Sequence, residues 1–352
     1  MISYQLFEYG EPLRRVESPL PEVGEQAILL QVKAAGVCHS DLHICHGSYD
    51  LGNGRQLKMA DRGLPLPLTL GHEIAGTVVQ VGARVQGIQV GRNYLVYPWQ
   101  GCGACVMCNE GHENLCAHAN RSMGVYQAGG YSDHVLVTDA RYLIDIGDMD
   151  PAEAAPYACS GVTTYSAMRK FDAALFSRES LVIYGGGGLG LMAVRLAKAM
   201  GCPSIVVVEP NVRKRDLALQ AGASAFVSTM GAAAADEIRA AAGGRVYMIL
   251  DCVGSSETVE QGLGLLAKGG KLVQVGLFGG HVDVPTPSMP LGVKGYQGSY
   301  VGSIEETKAL IALVRDQHVP QIPTTIRRLG EANEALEALA DGTALGRQVL
   351  VP

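Results

Sequence analysis

Four cysteines sit close together in this chain, as Cys102-x2-Cys105-x2-Cys108-x7-Cys116, with Gly101, Gly103 and Gly111 loosening the backbone around them. Thiolates at that spacing can surround a tetrahedral Zn²⁺ from a single loop. A cage of four protein ligands has no open position, so it holds a loop in shape and performs no chemistry. A second set of metal-type residues lies in Cys38-His39-Ser40-Asp41-Leu42-His43, in Gly71-His72-Glu73, and at Cys159. A catalytic zinc takes three protein ligands and leaves its fourth position for water or substrate. Cys38, His72 and Cys159 would serve in that way, two thiolates offsetting the charge of a cation that still acidifies a hydroxyl. Taken one at a time these residues are ordinary: a cysteine in AAGVCHS is more often a small core residue. Spacing alone does not select the set.

A third group points to a dinucleotide. Gly185-x-Gly187-x-x-Gly190 follows the apolar run LVIY and opens the helical run LMAVRLAKAM. Glycines at these places allow a tight turn, close approach of a pyrophosphate, and close packing of helix on strand. The phosphates would lie over a helix N-terminus, where free N–H groups point outward. Glycine is abundant here, with 45 in the chain, so an ordinary glycine-rich turn is the alternative. Glu209 weighs against it: it ends the next apolar run, 19 residues after Gly190, where an acid takes the ribose hydroxyls. An acid there repels a 2′-phosphate and favours NAD over NADP, although Arg213 and Lys214 stand close enough to oppose it.

These residues must be carried by two kinds of fold. Up to residue 155 the chain shows short valine-rich runs bounded by glycine, such as AILLQVKAAGV, AGTVVQVGARV and YSDHVLV, which predict a mostly β domain. Residues 156–297 alternate continuous apolar runs with helical segments, the pattern of a parallel sheet covered on both faces. The tail, 298–352, is too short for a core of its own and is expected to complete the first domain. The segment from Tyr49 to Pro67 reads as a surface loop, and Glu110 and Glu113 read as facing solvent.

Composition narrows the field. The 352 residues are 47% apolar and 18% charged, which fits a compact enzyme and not a disordered chain. A formal charge of −6, with no basic cluster, argues against nucleic-acid binding. No run is long enough to span a membrane, and the N-terminus lacks the pattern of a signal peptide. Nine cysteines, an odd number, read as reduced thiols in a cytoplasm.

Over essentially its whole length the chain resembles the zinc-dependent medium-chain alcohol dehydrogenases. GVCHSDLH, GHEIAGTV, the four-cysteine loop, CSGVTTY, GGGGLG and the closing GRQVLVP look like family segments in family order. PWQG, CSG-TTY and VGLFG place it nearest the tetrameric archaeal and bacterial NAD-dependent branch. The resemblance implies an α/β fold class: a Rossmann-type parallel-sheet cofactor domain, 156–297, and a mostly β, GroES-like catalytic domain, 1–155, completed by 298–352. It implies two Zn²⁺ per chain. One would be structural, on Cys102, Cys105, Cys108 and Cys116. The other would be catalytic, on Cys38, His72 and Cys159, with Glu73 as an occasional fourth ligand. Asp41 would accept the other ring N–H of His72. Ser40 would pass the alcohol proton on to His43. His39 and Arg347 would lie near the pyrophosphate of NAD, Thr163 at the nicotinamide, and Glu209 and Lys214 at the adenosine ribose, behind Gly185, Gly187 and Gly190. Trp99, Tyr49, Leu277 and Tyr300 are expected to line the substrate pocket, favouring medium aliphatic or aromatic alcohols with their aldehydes and ketones. A homotetramer is expected, with a homodimer as the alternative. A polyol dehydrogenase of the same fold and a non-catalytic, quinone-reductase-type relative are the competing functions.

Overall fold

A computed structural model describes residues 1–118, 121–231 and 233–352. The apolar run after Ala27 becomes a long strand, Ile28–Val37, buried along nearly all its length. It is the spine of a seven-stranded sheet, and the path through that sheet places Leu143–Asp145, Asn93–Val96, Glu73–Val81, Ile28–Val37, Arg347–Val351 and Thr324–Arg328 side by side. The strand His134–Val137 pairs with the first half of the spine. The last strand of the chain runs antiparallel to the spine, with Val349 opposite Gly36, so a segment from the far end of the sequence is built into the first sheet. A smaller sheet joins Arg14–Glu17, Ile2–Leu6 and Leu68–Thr69.

Where the sequence predicted a surface loop between Tyr49 and Pro67, the chain forms a hairpin. Ser48–Asp50 pairs with Gln56–Lys58 across a turn in which Gly52, Asn53 and Gly54 all have positive φ. Asparagine and glycine tolerate that left-handed backbone, which is why a polar, turn-rich stretch still supports a hairpin. A short 3-10 helix, Ala60–Arg62, follows it.

The middle of the chain folds into six parallel strands in the spatial order Ala225–Val227, Ile205–Val208, Leu181–Tyr184, Val246–Asp251, Leu266–Gln274, Gly295–Gly298. Counted along the chain that order is 3-2-1-4-5-6, a doubly wound sheet whose direction of winding reverses between Leu181–Tyr184 and Val246–Asp251. Its central strands are fully buried, because helices cover both faces. A ligand crevice is expected at the carboxyl ends of the strands flanking the reversal. The largest apolar core is continuous from the first sheet through the helices Ser160–Met168 and Gly188–Ala199 to one face of the parallel sheet. A second core fills the opposite face. No helix among the described residues is long and apolar enough to cross a membrane.

Candidate functional site

Three elements meet to form the first cluster. Cys38 follows the spine strand in extended backbone and caps the helix His39–His46. His72 precedes the strand Glu73–Val81, next to Gly71 (φ +89°), where a Cβ would come within 2.4 Å of the Tyr131 ring. Cys159 lies at the joint between a 3-10 turn, Ala155–Ala158, and the helix Ser160–Met168. One donor atom from each of the three residues lies within 4.8 Å of the others. His72 is wholly buried. Its Nδ1 is 3.3 Å from Asp41 Oδ1, and Asp41 Oδ2 accepts the Cys38 N–H at 2.9 Å and the Tyr131 hydroxyl at 3.0 Å. Neither ring nitrogen of His72 makes a hydrogen bond of good geometry among the described residues: Nδ1 and Asp41 Oδ1 meet only as a charge contact, and Nε2 faces no partner at all. A buried ring nitrogen without a partner, grouped with two thiols, is what a soft divalent metal with Cys2His ligation would satisfy.

The charges agree. A hydrogen bond from Cys159, opposed by burial and aided by Arg347 and His72, holds the Cys38 thiol well below its ordinary pKa. The same hydrogen bond, with burial, pushes Cys159 up. Burial alone would lower His72, but the adjacent Asp41 carboxylate more than offsets it and raises the ring.

Glu73, expected as an occasional fourth ligand, is held here by other partners. Its Oε2 accepts Arg347 Nε at 2.9 Å, its Oε1 accepts the Ser160 N–H at 3.1 Å, and a second Arg347 nitrogen closes the pair. Committed in this way, its carboxylate is not part of the three-residue cluster. Arg347, expected near a pyrophosphate, lines the cleft described below but gives its guanidinium to Glu73. Gly36 lies between them: a Cβ there would fall 1.9 Å from Glu73 Oε2.

The four cysteines of the loop also come together, with Cys105 Sγ 3.5 Å from Cys108 Sγ and 3.9 Å from Cys116 Sγ, and Cys102 Sγ 3.9 Å from Cys108 Sγ. All four are thiols. Glu113, read from the sequence as facing solvent, is buried. It accepts the Gly101 N–H at 3.1 Å and the Tyr142 hydroxyl at 2.6 Å, and pairs with Arg141 at 3.2 Å. Arg141 and Tyr142 both come from the 3-10 turn Ala140–Tyr142, outside the cysteine loop, so no local pattern marks Glu113 as buried. Glu110 is exposed.

A cleft of about 680 Å³ connects the first cluster to the parallel sheet. Gly185 follows the strand Leu181–Tyr184 at φ +97°, and Gly187 caps the helix Gly188–Ala199. A Cβ on Gly190 would strike the Gly185 carbonyl at 1.9 Å, whereas one on Gly187 would meet nothing within 4 Å. The turn is therefore closed at its base and open toward the cleft, as a phosphate cradle requires. Glu209 accepts the Gly186 N–H and Lys214 Nζ on Oε2, both at 2.9 Å, and the Asn211 N–H on Oε1 at 3.0 Å. Ser40, His39, His43 and Thr163 line the same cleft. So do Tyr49, Trp99, Leu277 and Tyr300. The His43 and Tyr49 rings lie 4.6 Å apart, and Trp99 stands between His72 and Tyr300, at 5.3 and 5.8 Å. Cys252 also reaches the cleft wall.

Two family profiles match the chain: an alcohol dehydrogenase GroES-like domain over residues 24–148 and a zinc-binding dehydrogenase over residues 188–316. The NAD-dependent alcohol dehydrogenase of Sulfurisphaera tokodaii is 38% identical over 354 residues, covering all of both chains. The D-arabinose 1-dehydrogenase (NADP(+)) of Saccharolobus solfataricus is 31% identical over 351 residues, 99% of this chain and 96% of its own. Among solved structures, the alcohol dehydrogenase from the hyperthermophilic archaeon Aeropyrum pernix has a TM-score of 0.89 at 30% identity, with both chains fully covered.

Proposed function

The chain belongs to the zinc-binding alcohol dehydrogenase family of medium-chain dehydrogenases, a GroES-like β domain joined to a Rossmann-type cofactor domain, and on that premise we propose that it interconverts an alcohol and its aldehyde or ketone with NAD. One observation carries the reading: the unpartnered His72 Nε2, grouped with Cys38 and Cys159, lies beside the cleft that also holds the open glycine turn. When bound, zinc at these three residues would polarise and acidify the alcohol oxygen, and NAD would take the hydride from its carbon.

The remaining roles belong to the chain's own side chains. Asp41 fixes the ring of His72 and, through the Cys38 N–H, the backbone of a second ligand. Ser40 and His43 carry the hydroxyl proton toward water, Ser40 as a neutral donor and acceptor and His43 as a base. Thr163 and His39 contact the cofactor. Glu209, oriented by Lys214 and two backbone N–H groups, takes the ribose hydroxyls and selects NAD. Cys102, Cys105, Cys108 and Cys116 hold a second, structural zinc, giving two per chain. The catalytic domain comprises 1–155 and 298–352, the cofactor domain 156–297, and the assembly is a homotetramer in the cytoplasm, where free thiols persist.

Tyr49, Trp99, Leu277 and Tyr300 make the substrate end of the cleft largely apolar. This supports medium aliphatic or aromatic alcohols, primary or secondary, since a polyol needs several polar partners. Sugar oxidation remains the second reading, given a relative that acts on D-arabinose. Steady-state rates with NAD⁺ and NADP⁺ over 1-hexanol, benzyl alcohol, 2-butanol, sorbitol and D-arabinose decide between them. Faster turnover of the sugars would remove the apolar-alcohol reading, and no turnover of any alcohol would remove the function.

A further inference from the structure

The hairpin Ser48–Asp50/Gln56–Lys58 and the 3-10 helix Ala60–Arg62 bring one cation to the substrate end of the cleft. Arg62 lines that cleft together with Tyr49, Leu57 and Met59. The segment that carries it is anchored: Met59 is 1% exposed, its N–H donates to Gly47 O at 2.8 Å, and the Arg62 N–H donates to Met59 O at 3.0 Å. Gly63, at φ +69°, then turns the chain away. The arginine therefore has a fixed root, although its side chain reaches water. Among the described residues no carboxylate lies within 4.0 Å of its guanidinium. Arg347 and Lys214, the other cations of the cleft, are paired with Glu73 and Glu209. Asp50 also lines the cleft, but its Oδ1 is held by the Gly52 N–H at 2.8 Å.

Tyr49 connects Arg62 with the chemistry. Its ring lies 4.6 Å from His43, and burial raises its hydroxyl pKa while the nearby Arg62 charge opposes the rise. A molecule with its hydroxyl at the Cys38–His72–Cys159 cluster would run along Tyr49, Leu57 and Trp99 and end within reach of an unpaired guanidinium fork. Such a fork matches one carboxylate.

We propose that Arg62 is a specificity-determining residue and that the preferred substrates are hydroxy acids: an alcohol, or the matching aldehyde, joined by an apolar spacer to a carboxylate that Arg62 binds. This deepens the dehydrogenase reading above and rests on it. The reaction is unchanged, the carbinol carbon losing a hydride to NAD⁺ and its oxygen a proton, while the carboxylate at the far end takes no part.

The test is a matched series of ω-hydroxyalkanoates and 1-alkanols of four to ten carbons, assayed with NAD⁺ on the zinc-loaded wild type, R62L and R62K. The quantity read is kcat/KM for the acid divided by kcat/KM for the alcohol of equal length, taken within one protein so that any general loss cancels. In the wild type the ratio should peak at one chain length and fall as salt is raised, because an exposed ion pair is screened. R62L should lower the peak ratio about fivefold, the most an exposed charge pair normally contributes, and abolish its salt dependence. R62K should retain part of it. A ratio that is equal in wild type and R62L, or that has no preferred length, overturns the inference while alkanol oxidation leaves the parent reading standing. Failure to oxidise acids and alkanols alike removes both.

Discussion

Arg347 and Glu73, 274 positions apart in the chain, form a buried ion pair across Gly36. The two strands that carry them flank the spine strand Ile28–Val37, and only a glycine at position 36 leaves room for the carboxylate between them. The pair ties the closing segment of the chain to the residue beside His72. It also occupies the carboxylate that would otherwise be free to join the metal cluster.

Removing one partner of such a pair leaves a buried charge uncompensated. Glu73→Gln should therefore destabilise the protein by about 3–5 kcal/mol, and Arg347→Gln by a similar amount. The double variant should lose less than the sum of the two, since neither charge is then left alone. Chemical denaturation monitored by the emission of Trp99, the only tryptophan, would measure this. Zinc content of Glu73→Gln should stay at the wild-type value, because the carboxylate is not among the grouped donors. Loss of one zinc from that variant would make Glu73 a ligand after all.

The two metal clusters should separate by phenotype. Elemental analysis is expected to return two zinc ions per chain, falling to one in Cys38→Ser, His72→Ala or Cys105→Ser. The first two should abolish turnover with a small change in melting temperature. Cys105→Ser opens a closed cage and should lower the melting temperature or disturb assembly first. Equal loss of activity with unchanged melting in all three would remove the division of roles.

The four-cysteine cage is legible in the sequence because all its ligands come from one loop, where spacing carries the geometry. Cys38, His72 and Cys159 are different. Three distant segments supply them, each ordinary by itself, and only the resemblance to a family grouped them before the structure placed their donor atoms within 4.8 Å. The parallel strands were readable as apolar runs, since a strand buried on both faces needs no polar alternation. Glu113 was not: an acid in a polar loop reads as solvated, and what buries it is Tyr142 and Arg141 from another element. Arg347 lines the cleft beside the glycine turn, but its pairing with Glu73 was not readable, because strand pairing and not any neighbour in sequence sets it.

Glu113 braces the four-cysteine loop from below. Glu113→Ala leaves the Gly101 N–H and the Tyr142 hydroxyl without their acceptor, a loss of about 1–3 kcal/mol for each buried group. The variant should release zinc to a chelator faster than wild type while keeping the Cys38–His72–Cys159 ion. Identical release kinetics would mean that the loop holds its shape without the brace.

Cofactor choice should turn on Glu209. Wild-type catalytic efficiency with NAD⁺ is expected to exceed that with NADP⁺, and Glu209→Gln should narrow the gap by removing repulsion at the 2′-phosphate. Lys214, which donates to Glu209 at 2.9 Å, is then freed to meet that phosphate. A wild-type preference for NADP⁺ would show that Lys214 and Arg213 outweigh the acid.

The proton path is open to test through His43. Burial, aided by the nearby His39, lowers its pKa from the ordinary imidazole value of 6.5, so the neutral, proton-accepting form persists to a lower pH than in a free histidine. Alcohol oxidation limited by hydride transfer should hold its rate through neutrality and fall only below pH 6.5 or so. His43→Gln should slow oxidation by up to about 100-fold, with zinc and NAD still bound. The gap between the two proteins should be widest near neutral pH. It should close in acid, where wild-type His43 is protonated and accepts nothing. Small buffer bases should restore part of the variant's rate, since the proton only needs an exit. Stability follows the same group with a definite sign. The unfolded chain binds the His43 proton more readily than the folded one, so the wild type loses stability as pH falls from about 6.5 to the lower folded pKa. His43→Gln should melt with less pH dependence across that window. Superimposable pH–rate profiles for the two proteins would take His43 out of the mechanism and give Ser40 a direct route to water.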